Sequence, residues 1–140
     1  MKINRHGSAV WQGGLKDGRG SISTESGALN AYPYGFASRF EGQRGSNPEE
    51  LIGAAHSACY SMALSNALGS NGTPPESLQV TAAVTFVPGE GIKGSHLLVS
   101  AKVPGMSDED FQKFAEDAKA NCPVSQALAG IPITLEASLA

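Results

Sequence analysis

No run of apolar residues in this 140-residue chain approaches the roughly 20 needed to span a bilayer, and the polar stretch from Met1 to Gln12 lacks the apolar core of a secretory signal. Basic residues are also scarce. Ten Lys and Arg against 13 Asp and Glu leave a net charge of −3, with no basic cluster to face a nucleic-acid backbone. The three histidines, His6, His56 and His96, stand at no ligand-like spacing, so the two cysteines have no obvious partners for a zinc site. Charged residues at 16% and hydrophobic ones at 41% are ordinary for a globular chain. The length suits one domain, residues 1–140. These exclusions predict a cytoplasmic globular protein with no membrane segment and no nucleic-acid partner.

Two cysteines in a cytosolic protein are seldom a structural disulfide, because that compartment keeps thiols reduced. Their positions therefore carry the information. Nine of the 17 glycines fall in the first 46 residues, among short β-like runs at Ser8–Gln12 and Gly20–Glu25. That third reads as a small meander followed by a structured loop holding Tyr34, Phe36, Arg39 and Phe40. Asn47-Pro48-Glu49-Glu50 then announces a helix: an N-cap, a proline at the first helical position and a glutamate three residues after the cap. The helix should run to about Leu68 and stop at Gly69. Its apolar residues, among them Ala54, Ala55, Ala58, Met62 and Ala63, spread beyond one stripe, which predicts a central helix buried on most sides.

Alternation at Leu78–Phe86 and Leu97–Val103 around a Pro88–Gly91 turn predicts a hairpin with one face against a helix. Ser107 caps a second helix with Phe111, Phe114, Ala115 and Ala118 on one face, ending near Asn121. Pro123 begins a short helix with Cys122 at its N-cap, stopped by Gly130, and a last strand alternates from Ile131 to Leu139. The class is α+β.

Cys59 lies in mid-helix, where a cysteine commonly serves as a small hydrophobe. No helix dipole helps it there, since that effect fades within the first turn. A reactive Cys59 must borrow a cation. Lowering a thiol pKa from about 8.5 to about 6 needs about 3.4 kcal/mol. One arginine at ~4 Å, at an effective dielectric near 20, supplies about 4 kcal/mol. Arg39, among aromatics, is the natural candidate, ahead of Arg5, Arg19 and Arg44; otherwise it is a surface arginine. His56 shares the helix face of Cys59 and either polarises the sulfur or fills space. Cys122 stands where a helix N-terminus stabilises a thiolate, or simply ends a helix. Glu50 suits the capping box, which leaves Glu49 as the residue to orient an arginine. Glu49 precedes Cys59 by ten helical residues, about 15 Å along the axis, so the two cannot touch within one helix. If both serve one site, a long arginine spans the gap or a second chain joins them.

Taken together, Asn47-Pro48-Glu49-Glu50-Leu51, Gly53-Ala54-Ala55-His56-Ser57-Ala58-Cys59 and Cys122-Pro123-Val124-Ser125-Gln126 resemble the OsmC branch of the OsmC/Ohr thiol peroxidases. Tyr34-Gly35-Phe36, Arg39-Phe40-Glu41-Gly42 and Ser23-Thr24-Glu25-Ser26-Gly27 are similar to that branch as well, so the likeness covers nearly the whole chain. The resemblance implies an OsmC-like fold in an intertwined homodimer with composite active sites. It implies a peroxidatic cysteine at Cys59, a resolving cysteine at Cys122, and Arg39 and Glu49 as activators of the thiolate. Organic hydroperoxides are the implied substrates, with hydrogen peroxide poorer, in defence against oxidative and osmotic stress. An external dithiol is the implied reductant, and neither metal nor organic cofactor is required. The Ohr branch carries its arginine earlier, whereas this chain matches the OsmC placement. The loop Pro88–Gly94 and the segment before Ser107 look short for the family. At the level of residues two rivals remain: a Cys59–His56 thiol hydrolase, and a redox sensor or hydrophobic-ligand binder.

Overall fold

The computed structural model describes all residues, Met1 to Ala140. The chain is α+β and forms two compact units, Met1–Pro48 and Glu49–Ala140.

The first unit is an antiparallel meander of β1 (Gly7–Gln12), β2 (Arg19–Thr24) and β3 (Tyr32–Tyr34), in that order. Gly20 of β2 lies against aromatic rings: a Cβ there would collide with the rings of Tyr34 and Trp11, so glycine is the residue that fits. Those two rings meet with centroids 5.4 Å apart. Where the sequence reads as loop, a short helix α1 (Phe36–Phe40) forms. The buried Ser38 fastens it, donating to the Ser46 carbonyl (2.7 Å) and accepting from the Gly35 N–H (2.9 Å). A five-residue helix is too short to show a hydrophobic period, which is why the pattern concealed it.

In the second unit, α2 (Pro48–Ser70) packs on a sheet ordered β4-β5-β6, made of Ser77–Val87, Gly91–Lys102 and Ile133–Leu139. The expected hairpin is present, with β4 antiparallel to β5 and Val80 opposite Val99. β4 extends beyond its apolar run at both ends and β5 begins well before its own, because ladder hydrogen bonds continue through residues without a periodic signal; β5 stops at Lys102, short of Val103. β6 pairs with β5 in parallel, Leu97 opposite Leu135. A parallel partner requires a crossover, and α3 (Asp108–Asn121) and α4 (Pro123–Ala127) provide it. Ser107 caps α3 as expected, accepting from the Asp110 N–H at 3.2 Å.

Leu97, Val99 and Ala101 of β5 point to one face with Tyr60, Leu64, Leu68 and Phe111, and all are essentially closed to solvent. The opposite face of β5, His96 and Leu98 included, is exposed. Tyr60 ties α2 to α3 by donating to the Ala115 carbonyl at 2.9 Å. Gln112 ties α3 to β6 through the Ala137 carbonyl at 2.7 Å. Gly53 sets how closely α2 approaches β4, since a Cβ there would stand 2.7 Å from the Ala82 carbonyl oxygen. Within the chain α2 buries one stripe, Gly53, His56, Tyr60, Leu64 and Leu68, and leaves Ala54, Ala55, Ala58 and Met62 exposed. The wide apolar surface seen in the sequence is thus only half covered by this chain's own core.

Candidate active site

Cys59 stands on α2 beside the core stripe, half-buried, and Cys122 is closed to solvent; both are free thiols. The corner that holds Cys122 follows from local chemistry. It ends α3, its N–H donating to the Ala118 carbonyl at 2.9 Å, and it caps α4, its carbonyl accepting from the Gln126 N–H at 3.0 Å. Pro123 keeps the preceding residue out of the helical region, and Cys122 adopts φ −56°, ψ 125°. The chain turns there and points the sulfur at α2.

The two thiols lie close enough for each to shift the other's ionisation, so they ionise as a pair. Burial pushes the Cys59 thiol up, and the neighbouring Cys122 pushes it further, against a smaller pull from the Val124 backbone. Burial also raises Cys122, but the Ser125 N–H, the Cys59 thiol, the Ser125 hydroxyl and the Val124 N–H together bring it below the ordinary thiol value. The first negative charge on the pair therefore favours Cys122, beside the donors of the α4 turn. Access runs the other way. Cys59 opens onto a cleft of about 540 Å³ lined by Met62, Ala63, Asn66, Ala67, Ala118 and Pro123, among others.

His56 is fully buried and engaged at both nitrogens: Nδ1 with Ser95 Oγ and Nε2 with Ser125 Oγ, each at 2.8 Å. Burial lowers its pKa, so the ring is neutral near neutral pH. With both nitrogens committed to serines, the imidazole is not the base of Cys59, and the thiol-hydrolase reading loses its catalytic pair. These serine contacts went unseen in the sequence, where His56 was assigned to the face of Cys59. The Ser125 of the Cys122-Pro123-Val124-Ser125 run was the available signal.

Arg39 lies in the last turn of α1, in the first unit, its guanidinium carbon 5.4 Å from the centre of the Phe40 ring. It borders a cavity of about 200 Å³ with Trp11, Leu15, Tyr34, Gly35, Phe36 and Phe40, the aromatic surroundings that the sequence suggested. Glu49 lies in the first turn of α2 and is buried. No cluster of His, Cys, Asp or Glu is arranged to hold a metal ion. No helix is long and apolar enough to cross a membrane.

The site is thus a half-exposed thiol with a buried second thiol beside it, on a helix packed against a mixed three-stranded sheet in a protein of α+β fold. The chain belongs to the OsmC-like protein family, whose model matches residues 40–136. It is 49% identical over 142 residues to "Peroxiredoxin OsmC" of Escherichia coli K12, an alignment covering 99% of each chain. Among solved structures, the organic hydroperoxide resistance protein OhrB of Bacillus subtilis superposes with a TM-score of 0.72 at 26% identity, covering 95% of this chain and 98% of that one. An OsmC-like protein from Mycoplasma pneumoniae shares the fold, with a TM-score of 0.71 at 16% identity over 99% of both chains.

Proposed function

We propose that this chain reduces organic hydroperoxides through a Cys59 sulfenic acid and a Cys59–Cys122 disulfide, which an external dithiol then reopens. Family membership makes it a cysteine-based peroxidase of the peroxiredoxin type. The observation that carries the division of roles is accessibility: Cys59 lines an open cleft, while Cys122 is closed to solvent and electrostatically coupled to it. A peroxide reaches the first sulfur, and only the first sulfur reaches the second.

In this reading the Cys59 thiolate attacks one peroxide oxygen, the O–O bond breaks, and the alkoxide leaves and is protonated to the alcohol. The Cys59 sulfenic hydroxyl then departs as water with the Cys122 thiol proton as the S–S bond forms. A dithiol donor restores both thiols by exchange. Burial and Cys122 both raise the Cys59 pKa, so this mechanism needs a cation, and Arg39 is assigned that work with Glu49 holding the guanidinium. The about 15 Å of helix between Glu49 and Cys59, and the exposed Ala54, Ala55, Ala58 and Met62 face, both favour a homodimer whose sites are shared between chains. The partially apolar cleft suits an alkyl hydroperoxide better than hydrogen peroxide, and reliance on a dithiol suits the cytoplasm, in defence against oxidative and osmotic stress.

Steady-state consumption of cumene hydroperoxide and of hydrogen peroxide with a dithiol donor tests the scheme. Cys59→Ser should abolish turnover; retained turnover refutes it. Cys122→Ser should allow one oxidation without recycling, with a dimedone adduct on Cys59. In Arg39→Met the thiolate titration of Cys59 should move up in pH, and an unmoved titration would assign activation to another group. A redox sensor, by contrast, would oxidise once and not turn over.

A further inference from the structure

His56 is fully buried in the second unit, and the scheme above does not use it. The ring stands on α2 between two serines of other elements: Nδ1 meets Ser95 Oγ on β5 and Nε2 meets Ser125 Oγ on α4, each at 2.8 Å. Both serines are buried too, Ser95 2% exposed and Ser125 4%. Three elements far apart in the sequence are thus tied at one point. Whichever ring nitrogen carries the proton, both contacts form, because a serine hydroxyl either donates or accepts.

Spacing gives this tie a consequence. Cys59 follows His56 by three residues on α2, and Ser125 follows Cys122 by three residues at the start of α4. A three-residue step is about 4.5 Å along a helix axis and returns to nearly the same face. Pro123, next to Cys122, lines one cleft with Cys59, Ala63 and Ala67, so the start of α4 lies further along α2 than Ser125 does. His56–Ser125 and Cys59–Cys122 are therefore neighbouring rungs between the two helices, and the first places the second. The influence of each thiol on the other's ionisation agrees with that placement.

The α4 turn needs such a fix. Five residues are too few to hold a helix by themselves. Cys122 makes no side-chain cap bond, and its corner is secured by backbone bonds to Ala118 and Gln126. Apolar packing presses the turn onto the core without direction, whereas a hydrogen bond fixes distance and angle.

We propose that His56, held by Ser95 and bonded to Ser125, sets the register of α4 on α2 and so keeps the resolving thiol of Cys122 facing Cys59. The proposal rests on the reading that Cys122 resolves a Cys59 sulfenic acid. In that step the Cys59 S–O bond breaks, the S–S bond forms, and the hydroxyl leaves with the Cys122 thiol proton as water. Its rate and its equilibrium both follow the fraction of time for which the two sulfurs face each other. His56, Ser95 and Ser125 are closed to solvent and act through Cys122, so they are positioning residues.

Equilibration of the protein dithiol with glutathione and its disulfide reads the effective concentration of one thiol at the other. Ser125→Ala removes the rung and should lower that concentration about tenfold, a rise of roughly 30 mV in the potential of the Cys59–Cys122 couple. In single-turnover oxidation by cumene hydroperoxide, quenched with dimedone, the same variant should hold the Cys59 sulfenic acid about tenfold longer. Ser95→Ala frees the far side of the ring and should act in the same direction by about threefold. It carries the same test if Ser125→Ala fails to fold. Ser125→Thr keeps the hydroxyl and should restore the wild-type values. Val99→Ala, a core truncation elsewhere on β5, should lower the thermal midpoint and move neither readout. Effective concentrations unchanged in the serine variants, or shifted as much in Val99→Ala, would make the network merely structural and overturn the proposal. If peptide mapping of the oxidised wild type shows no Cys59–Cys122 disulfide, the assignment of the cysteines is itself wrong and the proposal falls with it.

Discussion

Replacing Gly53 by alanine sets two physical effects against each other, and the structure decides the sign. Helix propensity alone favours the change by about 1 kcal/mol, since glycine inside a helix carries extra chain entropy. The added Cβ, however, would stand 2.7 Å from the Ala82 carbonyl oxygen, a backbone atom of β4 that cannot rotate away. Ordinary contact is restored only if α2 lifts from the sheet by roughly half an ångström or more, loosening the packing around it. Overpacking of this kind costs typically 1–3 kcal/mol. The bulk of that range applies here because the obstacle is backbone, so Gly53→Ala should destabilise by about 1–2 kcal/mol net. That corresponds to a fall of several degrees in the thermal midpoint for a chain of this size. Calorimetry or urea denaturation at one fixed protein concentration is the assay, because association would otherwise shift the midpoint by mass action. An unchanged or raised midpoint would refute the claim that close approach of α2 and β4 dictates the glycine. The same displacement reaches His56 and Cys59, one and two turns further along α2, so peroxide turnover should fall along with stability.

Acid should weaken the fold through His56. Burial lowers its folded pKa below the unfolded value of about 6.5, so the unfolded chain binds more protons as pH falls below that value. Stability is then lost from about pH 6.5 downward, with a contribution of at most about 1.4 kcal/mol per pH unit. Comparing urea titrations of wild type and His56→Gln checks this; an identical slope between pH 7 and pH 5 removes His56 as the cause. Met62 is 76% exposed on the uncovered face of α2, and if the proposed homodimer forms through that face, Met62→Asp should leave monomers with the circular dichroism spectrum retained. Light scattering that shows an intact dimer in this variant would place the interface elsewhere.

Much of the fold was legible in local chemistry. The cap at Ser107 and the alternation along β4 and β5 follow from residues within a few positions of one another. So does the corner at Cys122, where a proline directly behind a helix end dictates the turn. The start of α2 at Pro48 and its length were also within reach, although it ends at Ser70, one residue beyond the expected stop at Gly69. The motifs around both cysteines were specific enough to indicate the family.

What the sequence could not decide was everything that joins residues distant along the chain. The parallel register of β6 on β5 is one example, because an alternating strand pairs equally well in either direction until a crossover is laid down. The serine partners of His56 are another. Helical spacing placed the ring on the face of Cys59, but the partners come from β5 and α4, and only packing turned each nitrogen to a hydroxyl. The two thiols follow the same rule. Sequence alone settled that Cys59 sits in mid-helix and Cys122 at a helix start. Tertiary structure alone decided that one opens to a cleft and the other lies sealed behind it, because burial and hydrogen bonding belong to the packed chain and not to the local backbone.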